Sequence, residues 1–537
     1  MKILFCVQLL IEMDNPWLYT NFLTNYFKKY IIRLQSACQD IDFGILMGEA
    51  PFFIYEKMEG VKTYVLSRQE MLDHGNLDCR QILREYFQYC HERKIRPECM
   101  DYHVALVKKY VDFKPDIIIS RDNAPYLEEC FPEALMLYTE VGFISRKPFP
   151  QTMYFDILGM NCGSYLYRYW KEIIKEFEWK EEYGELIKKL KNAVKDCIMI
   201  HNPYIEIAKE WRSKYDKLYL LALQFSGFSN IDAEIDFESQ LDVLLYVMDT
   251  VPQDVGVVVS THPDYNVLNV GTIRFLRKKY PNFLYHESFL QYNSSSQFLL
   301  GLVDGVINLT STIGLQTLFW DIPNLSIGRY FAEYISRYFN ADVSYDSLSM
   351  EEKANNDKVM FWLLTHYIIT PQLFQDGEWL LSYLQQLCDN NKTKQKYQIY
   401  DYLDEPKKII MSYIESLIDD IPEERLKTKS TEYYDLLVEA SKQYFKNNSL
   451  REKIIKMDKD ILIYGKGSLG YVFELELRDE ACFKGYIDRN TLSDYSFTNE
   501  EIIIITPVQE YKQIKKEIRD YTSAECISAQ DLIRKDI

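Results

Sequence analysis

No run of apolar residues in this chain approaches the roughly 20 that a membrane-crossing helix needs, so membrane association is expected to be peripheral or through a partner. The eleven cysteines include no C-x-x-C pair, a scatter that fits reduced thiols better than a disulfide framework or a zinc site. Cations are outnumbered, 62 Lys and Arg against 80 Asp and Glu, for a formal net charge of −18. That balance argues against a nucleic-acid groove or a broad patch for anionic membranes, while leaving room for local basic clusters. Neither a solenoid-length repeat nor a low-complexity tract is present. The opening "MKILFCVQLLIEMDN" reaches Glu12 and Asp14 without a small-residue cleavage site, and reads as a first β-strand rather than a leader. The expected compartment is the cytoplasm, at most against the inner face of its membrane.

With 537 residues, 47% of them hydrophobic, the chain can bury two or three cores. Short β-rich runs alternate with amphipathic segments, the pattern of parallel sheets covered by helices. The first block runs from "KILFCVQ" to "KPDIIISRDNAPYL", the second from "KLYLLALQFSG" through "VGVVVSTHP" to "IPNLSIG". The expected fold class is α/β. Two Rossmann-like domains, at about 1–195 and 196–345, face a cleft. A helical bridging region spans about 346–455, and a small Rossmann-like module about 456–537.

Histidine is scarce, seven in the chain, yet the buried strand "VGVVVSTHP" ends on His262. In open parallel sheets ligands bind beyond the carboxyl ends of strands. Gln224 ends "LYLLALQ", and Thr310, Ser311 and Thr312 follow "GVINL", with Gly314 opening the apolar stretch behind them. Ser311 or Thr312 is expected to cap a helix. Its N-terminus and hydroxyls, with His262 alongside, would hold the phosphate of a nucleotide. Taken singly, a Ser-Thr pair before a helix is most often only a cap, and a histidine before Pro263 only a turn residue; their order and spacing lend them weight.

The stretches "LALQ", "STHPDYN" and "VINLTSTIGLQTLFWDIPNLSIG" resemble the sequence blocks of capsule-polysaccharide biosynthesis glycosyltransferases of the GT-B type, which include bacterial Kdo transferases. The resemblance implies that His262, Pro263, Ser311 and Thr312 hold the nucleotide and phosphate of a sugar donor. It departs at Gln316, where many members have glutamate, which leaves the nucleotide open.

Glycosyl transfer needs a carboxylate across the cleft, as base or nucleophile. "LMLYTEVGFISRKPFPQTMYFDILGMN" offers Glu140 at a strand end and Asp156, expected on a loop facing the cleft, with Glu140 the favoured of the two. Arg146 is the candidate partner for a sugar carboxylate or donor phosphate, and Arg329, after "LSIG", a second candidate for the donor's anion. Surface ion pairing is the competing reading for all of these. No D-x-D stands at a strand end, so no metal is expected, no cofactor is required, and helix N-terminus, histidine and hydroxyls would offset the leaving-group charge.

The expected partners are a nucleotide-sugar donor, CMP-activated by preference, and a glycan or glycolipid acceptor, with no nucleic acid; a peripheral contact to a membrane or a polysaccharide assembly complex fits the same reading. Other readings stay open: a transferase moving a polyol phosphate from a CDP donor, a silent scaffold in such a complex, or an oxidoreductase or epimerase on the C-terminal module. The last rests on "YGKGSLG", where Gly465, Gly467 and Gly470 lie between a strand and a helix, with Asp488 roughly 18 residues on. The module is about half a dinucleotide fold, so an appendage is the favoured reading.

Overall fold

The computed structural model describes residues 1–7, 9–10, 23–54, 58–73, 79–121, 123–146, 148–200, 202–224, 237–262, 267–290, 295–329, 331–400, 406–417, 436, 439–440, 443, 449–498 and 500–534. The chain divides into two compact units, one made of Met1–His286 and Ser294–Pro422, the other of Glu287–Asn293 and Glu423–Ile537.

In the first unit, strands β1 (Lys2–Cys6), β2 (Asp42–Gly48), β3 (Val61–Leu66), β4 (Ile117–Ser120), β5 (Leu135–Val141) and β6 (Met153–Asp156) build the first sheet. The second sheet takes β7 (Lys217–Ala222), β8 (Val255–Ser260), β9 (Phe283–Leu284), β10 (Gly305–Asn308), β11 (Asn324–Ser326) and β12 (Ser336–Tyr338). β13 (Ile368–Ile369) returns to the first sheet, antiparallel to β6. Runs such as Ile117–Ile119 and Val257–Val259 are buried along their whole length, as expected of parallel strands covered by helices on both faces.

The first sheet is ordered β13-β6-β5-β4-β1-β2-β3 and the second β12-β11-β10-β7-β8-β9. Read from β9, the second follows the 3-2-1-4-5-6 order of doubly wound nucleotide-binding sheets, and the first winds the same way through β5. Each therefore has a point where winding reverses, between β1 and β4 and between β7 and β10, the place where such sheets bind ligands.

The two sheets meet through aromatic packing, Phe143 against Phe331 with ring centroids at 5.1 Å and Phe149 against Phe319 at 5.3 Å. Between them lies a cleft of about 880 Å³ whose walls come from the end of the helix Cys79–Glu92 and from the segment after β11. Such a pair of doubly wound sheets is the GT-B arrangement.

The helices from Met350 to Glu415 tie back onto the first sheet. The first of them, Met350–Trp362, starts at a capping box in which Ser349 and Glu352 satisfy each other's backbone N–H. Tyr400 and Tyr413 then donate to the Phe155 carbonyl at 2.6 Å and the Ile144 carbonyl at 3.1 Å. Gly377 lets the helix Gly377–Thr393 approach the helix Lys28–Ala37, since a Cβ there would stand 2.3 Å from the Arg33 carbonyl. The segment expected to be helical thus also supplies an edge strand.

The second unit is one four-stranded parallel sheet of β14 (Asp460–Tyr464), β15 (Phe483–Ile487), β16 (Glu501–Ile505) and β17 (Glu525–Ser528), ordered β15-β14-β16-β17. Alternate residues of β14 and β16 feed two cores. Ile461, Ile463, Ile502 and Ile504 enter one, and Leu462, Tyr464, Ile503 and Ile505 the other.

Candidate functional site

At the carboxyl edge of the second sheet, register brings the sequence candidates into a row. Ala222 pairs with Ser260 on β8, and Leu221 with Ile307 on β10. Continuing that register sets His262, Gln224 and Thr310 on three neighbouring chains, at about 4.8 Å per strand. Gln224 bonds Thr310 twice: its Nε2 donates to the Thr310 hydroxyl at 3.3 Å, and its Oε1 accepts the Thr310 N–H at 3.3 Å. The Gln224 N–H is itself held by Gln240 Oε1 at 2.8 Å. All three side chains of the row stay partly open to solvent. Pro263 lies outside the described residues.

The turn after β10 is set by Asn308, which is fully buried. Its Oδ1 accepts from the Ser311 N–H at 3.1 Å and its Nδ2 donates to the Ser311 carbonyl at 2.9 Å. Ser311 Oγ then accepts the Ile313 N–H at 3.3 Å, whereas Thr312, at the N-cap position, makes no side-chain cap bond. The helix that follows is Ile313–Gln316 alone, continued by a 3-10 turn, with Gly314 buried in it. So short a helix has little macrodipole, less than the helix N-terminus expected from the sequence. Gln316 is fully buried. Its Oε1 accepts from Gln297 at 2.9 Å and its Nε2 donates to the Phe143 carbonyl at 3.4 Å, so it joins the two sheets rather than lining the crevice.

The first sheet presents charge at its own reversal point. Arg121, next after β4, is 7% exposed and pairs through Nη2 with Glu140 Oε2 at 3.0 Å. The other carboxylate oxygen of Glu140 accepts the Val141 N–H at 2.9 Å. Burial and the Glu140 charge raise the Tyr26 phenol above its usual range, while Arg146 and Arg121 pull it back, which places four groups in one electrostatic neighbourhood. Gln151 Nε2 donates to the Tyr26 hydroxyl. Arg146 is exposed, in the turn closed by the Phe149 N–H to its carbonyl at 3.0 Å.

One expectation is corrected. Asp156 is not on a loop facing the cleft; it ends β6, fully buried. One oxygen accepts the N–H groups of Leu158 and Gly159 at 2.7 and 3.0 Å, the other the Tyr165 N–H at 2.7 Å and the Tyr367 hydroxyl at 2.6 Å. Burial still outweighs these donors and pushes its carboxyl up to about 6. It acts as an internal bracket between sheet, loop and returning chain. Arg329, three residues beyond Ser326 of β11, lines the cleft. It is exposed and pairs with Glu92 at 2.7 Å across the cleft, and that partner raises its guanidinium value further.

Sequence reasoning passed over three residues. Arg121 and Asn123 stand in "SRDN", directly beyond β4, and their place at a strand end was the available signal. Asn123 is 2% exposed; its Oδ1 takes the Met160 N–H at 3.1 Å, and its Nδ2 has no partner among the described residues. Thr261, beside His262, is 8% exposed with a hydroxyl unpartnered among the described residues. No cluster of three or more His, Cys, Asp or Glu that could hold a metal occurs among the described residues.

In the C-terminal module Gly465 takes φ +99°, and a Cβ on Gly470 would lie 2.2 Å from the Gly465 carbonyl, so the third glycine serves close helix–strand packing. Gly467 is the N-cap of the helix Ser468–Leu477. The crevice beside Gly465 is occupied by Thr506 and Pro507, within 3.0 and 3.1 Å of where its Cβ would stand. Asp488 Oδ1 accepts the Asn490 and Thr491 N–H groups at 2.9 and 3.1 Å, so that oxygen closes a turn.

Residues 168–335 match the model of a family described as capsule polysaccharide biosynthesis protein. Among solved structures the chain is similar to the β-Kdo 2,7 transferase of Thermosulfurimonas dismutans KpsC, with 16% identity over 72% of this chain and 100% of that one, at a TM-score of 0.36. The β-Kdo 2,4 transferase of the same protein shows 12% identity over 45% and 79%, at 0.31. The UDP-GlcNAc 2-epimerase of Neisseria meningitidis shows 12% over 78% and 100%, at 0.24. No curated protein matches the chain.

Proposed function

We infer that this protein is a capsule-polysaccharide glycosyltransferase of the GT-B type, a premise resting on the family match over residues 168–335 and on the two doubly wound sheets of the first unit. In this reading it takes a sugar from a nucleotide donor and passes it to a growing surface glycan. The observation that carries it is the row His262, Gln224 and Thr310 at the reversal point of the second sheet, inside the matched segment. Polar side chains and loop N–H groups converge there on a strip about 10 Å wide, the span of three strands and enough for a nucleotide phosphate. His262, Thr261, Ser311 and Thr312 donate to that phosphate, and Pro263 follows His262 in sequence.

The donor is CMP-activated, with an acidic sugar such as Kdo favoured from the sequence resemblance. Arg146 suits a carboxylate on that sugar through its planar fork of donors. Glu140 is the reacting carboxylate, base or nucleophile, and Arg121 orients it. For Glu140 to take the acceptor proton or attack the sugar, an oxygen must leave Arg121 as substrate enters. The hydrogen-bond donors at the second sheet offset the leaving phosphate's charge, so the step calls for no metal. The acceptor is a glycan or glycolipid, and the protein works in the cytoplasm at the inner membrane face, alone or with an assembly complex.

A thermal-shift screen of the full chain against CMP, CDP, UDP, UMP and GDP tests the donor. Stabilisation by CMP, lost in His262→Ala and Thr310→Val, supports the site. Stabilisation by another nucleotide alone discards the CMP donor, and stabilisation unaffected by both variants discards the site.

A further inference from the structure

We propose that the helix Val270–Lys279 is a docking surface for anionic phospholipid. The helix follows the loop that carries His262 and covers the β8–β9 side of the second sheet. Its buried side is anchored by Ile273, Leu276 and Tyr280, which are 8%, 0% and 7% exposed. Its outward side runs against the charge balance of this acidic chain. "VGTIRFLRKK" holds Arg274, Arg277, Lys278 and Lys279 and no acidic residue, within a protein of net charge −18.

Helical spacing puts Gly271, Arg274, Phe275 and Lys278 on one face, and all four are exposed. Phe275 is 53% exposed and Val270, one turn before Arg274, 39%. Arg274 and Lys278, on either side of Phe275, form no ion pair among the described residues. Arg277 and Lys279, by contrast, lean sideways onto the Tyr285 carbonyl at 2.8 Å and Asp249 at 3.3 Å.

The chemistry selects the partner. A single aromatic ring ringed by cations on three helical turns is far smaller than the roughly 800 Å² per side of a specific protein interface. A lipid interface asks for much less, because it accepts an apolar ring at the headgroup boundary and reads positive charge without shape complementarity. The net negative charge of the chain is repelled by anionic headgroups, so approach falls to a basic face such as this one. The inference names a surface for the membrane contact proposed above, but does not need the transferase activity: lipid binding is measured without donor or acceptor.

Flotation of the full chain with vesicles of phosphatidylcholine, alone or mixed with phosphatidylglycerol, tests it. Wild type is expected to float with the mixed vesicles, to stay in solution with the neutral ones, and to be released at about 1 M salt, where the Debye length falls to about 3 Å. Arg274→Glu with Lys278→Glu is expected to lower the bound fraction on the order of tenfold or more, and Phe275→Ser to weaken binding without changing its salt dependence. Circular dichroism and nucleotide-induced thermal shift on each variant report that the fold and the donor site persist. Failure of wild type to bind mixed vesicles, equal binding to neutral ones, or undiminished binding by the folded charge-reversed variant each overturns the proposal. Capture of wild type by an acidic polypeptide but not by vesicles would also overturn it, pointing to an acidic protein instead.

Discussion

Gln224 and Thr310 hold each other across the point where the second sheet reverses its winding, amide to hydroxyl and backbone N–H to amide oxygen, each at 3.3 Å. They follow neighbouring strands far apart in sequence, and the pairing ties together two of the three chain segments in the row with His262. Bonds of that length, part-buried, are weak enough to yield to a phosphate that offers better acceptors.

Gln224→Leu is therefore expected to cost the free protein only about 1 kcal/mol of stability, the ordinary net worth of such bonds. It should weaken binding of the stabilising nucleotide roughly tenfold or more, since charge-assisted bonds to phosphate are worth about twice as much. Calorimetric titration alongside chemical denaturation separates the two effects.

Glu140→Gln is expected to lower kcat by roughly a hundredfold or more, with KM for the donor little changed. The substitution also leaves Arg121 without its counter-charge. Arg121 is 7% exposed, but the Glu140 side chain is 27% exposed, so solvent discounts the penalty to about 2 kcal/mol. A steady-state assay at a temperature well below the variant's melting point distinguishes the kinetic loss from partial unfolding. Unchanged kcat would remove Glu140 from the reaction.

Asp156→Ala is expected to destabilise the first unit by about 3–5 kcal/mol, because three backbone N–H groups and the Tyr367 hydroxyl lose their acceptor together. The effect is on folding, read as a drop in the urea midpoint. Activity per folded molecule should stay near wild type.

Asp156 also carries a pH signature. Its value in the fold, about 6, lies above the usual 3.8. The folded state thus favours the protonated acid: the stabilisation is present below about pH 4 and is lost as pH rises through 6. The difference in unfolding free energy between wild type and Asp156→Asn, whose amide stays neutral, should fall by about 2.4 kcal/mol from pH 4 to pH 7. A difference that stays flat with pH would show that Asp156 is ionised throughout.

Gly470→Ala is expected to destabilise the C-terminal module, since the added methyl meets the Gly465 carbonyl, a backbone atom, at 2.2 Å. Limited proteolysis should cut this module first, and transferase activity should survive if the module is an appendage. A saturable NAD or NADP thermal shift in wild type would revive the oxidoreductase reading.

Much of the architecture was legible because it depends on local pattern. Unbroken apolar runs such as "IIIS" and "VGVVVS" announce strands buried on both faces, and their alternation with helices announces parallel sheets. The strand-end placement of Gln224, His262 and Thr310 followed from the same pattern, because a polar residue that closes such a run stands at a sheet edge. Asp156 was misplaced because its sequence neighbours look like a turn. What buries it is Tyr367, from a segment that returns to the first sheet more than 200 residues later. The helix after Thr312 was overestimated for a related reason, as "IGLQTLFW" has helical spacing but tightens into a 3-10 turn after Gln316.

What the sequence by itself determined, then, was the class of fold and which residues close its strands, because burial and periodicity are properties of neighbouring residues. The tertiary structure alone decided which charges meet. Arg121 with Glu140, Arg329 with Glu92, and Asp156 with Tyr367 are partners across strands and sheets. An ionisable side chain's role depends on burial and on the charge a few ångströms away, which long-range packing supplies and linear spacing does not.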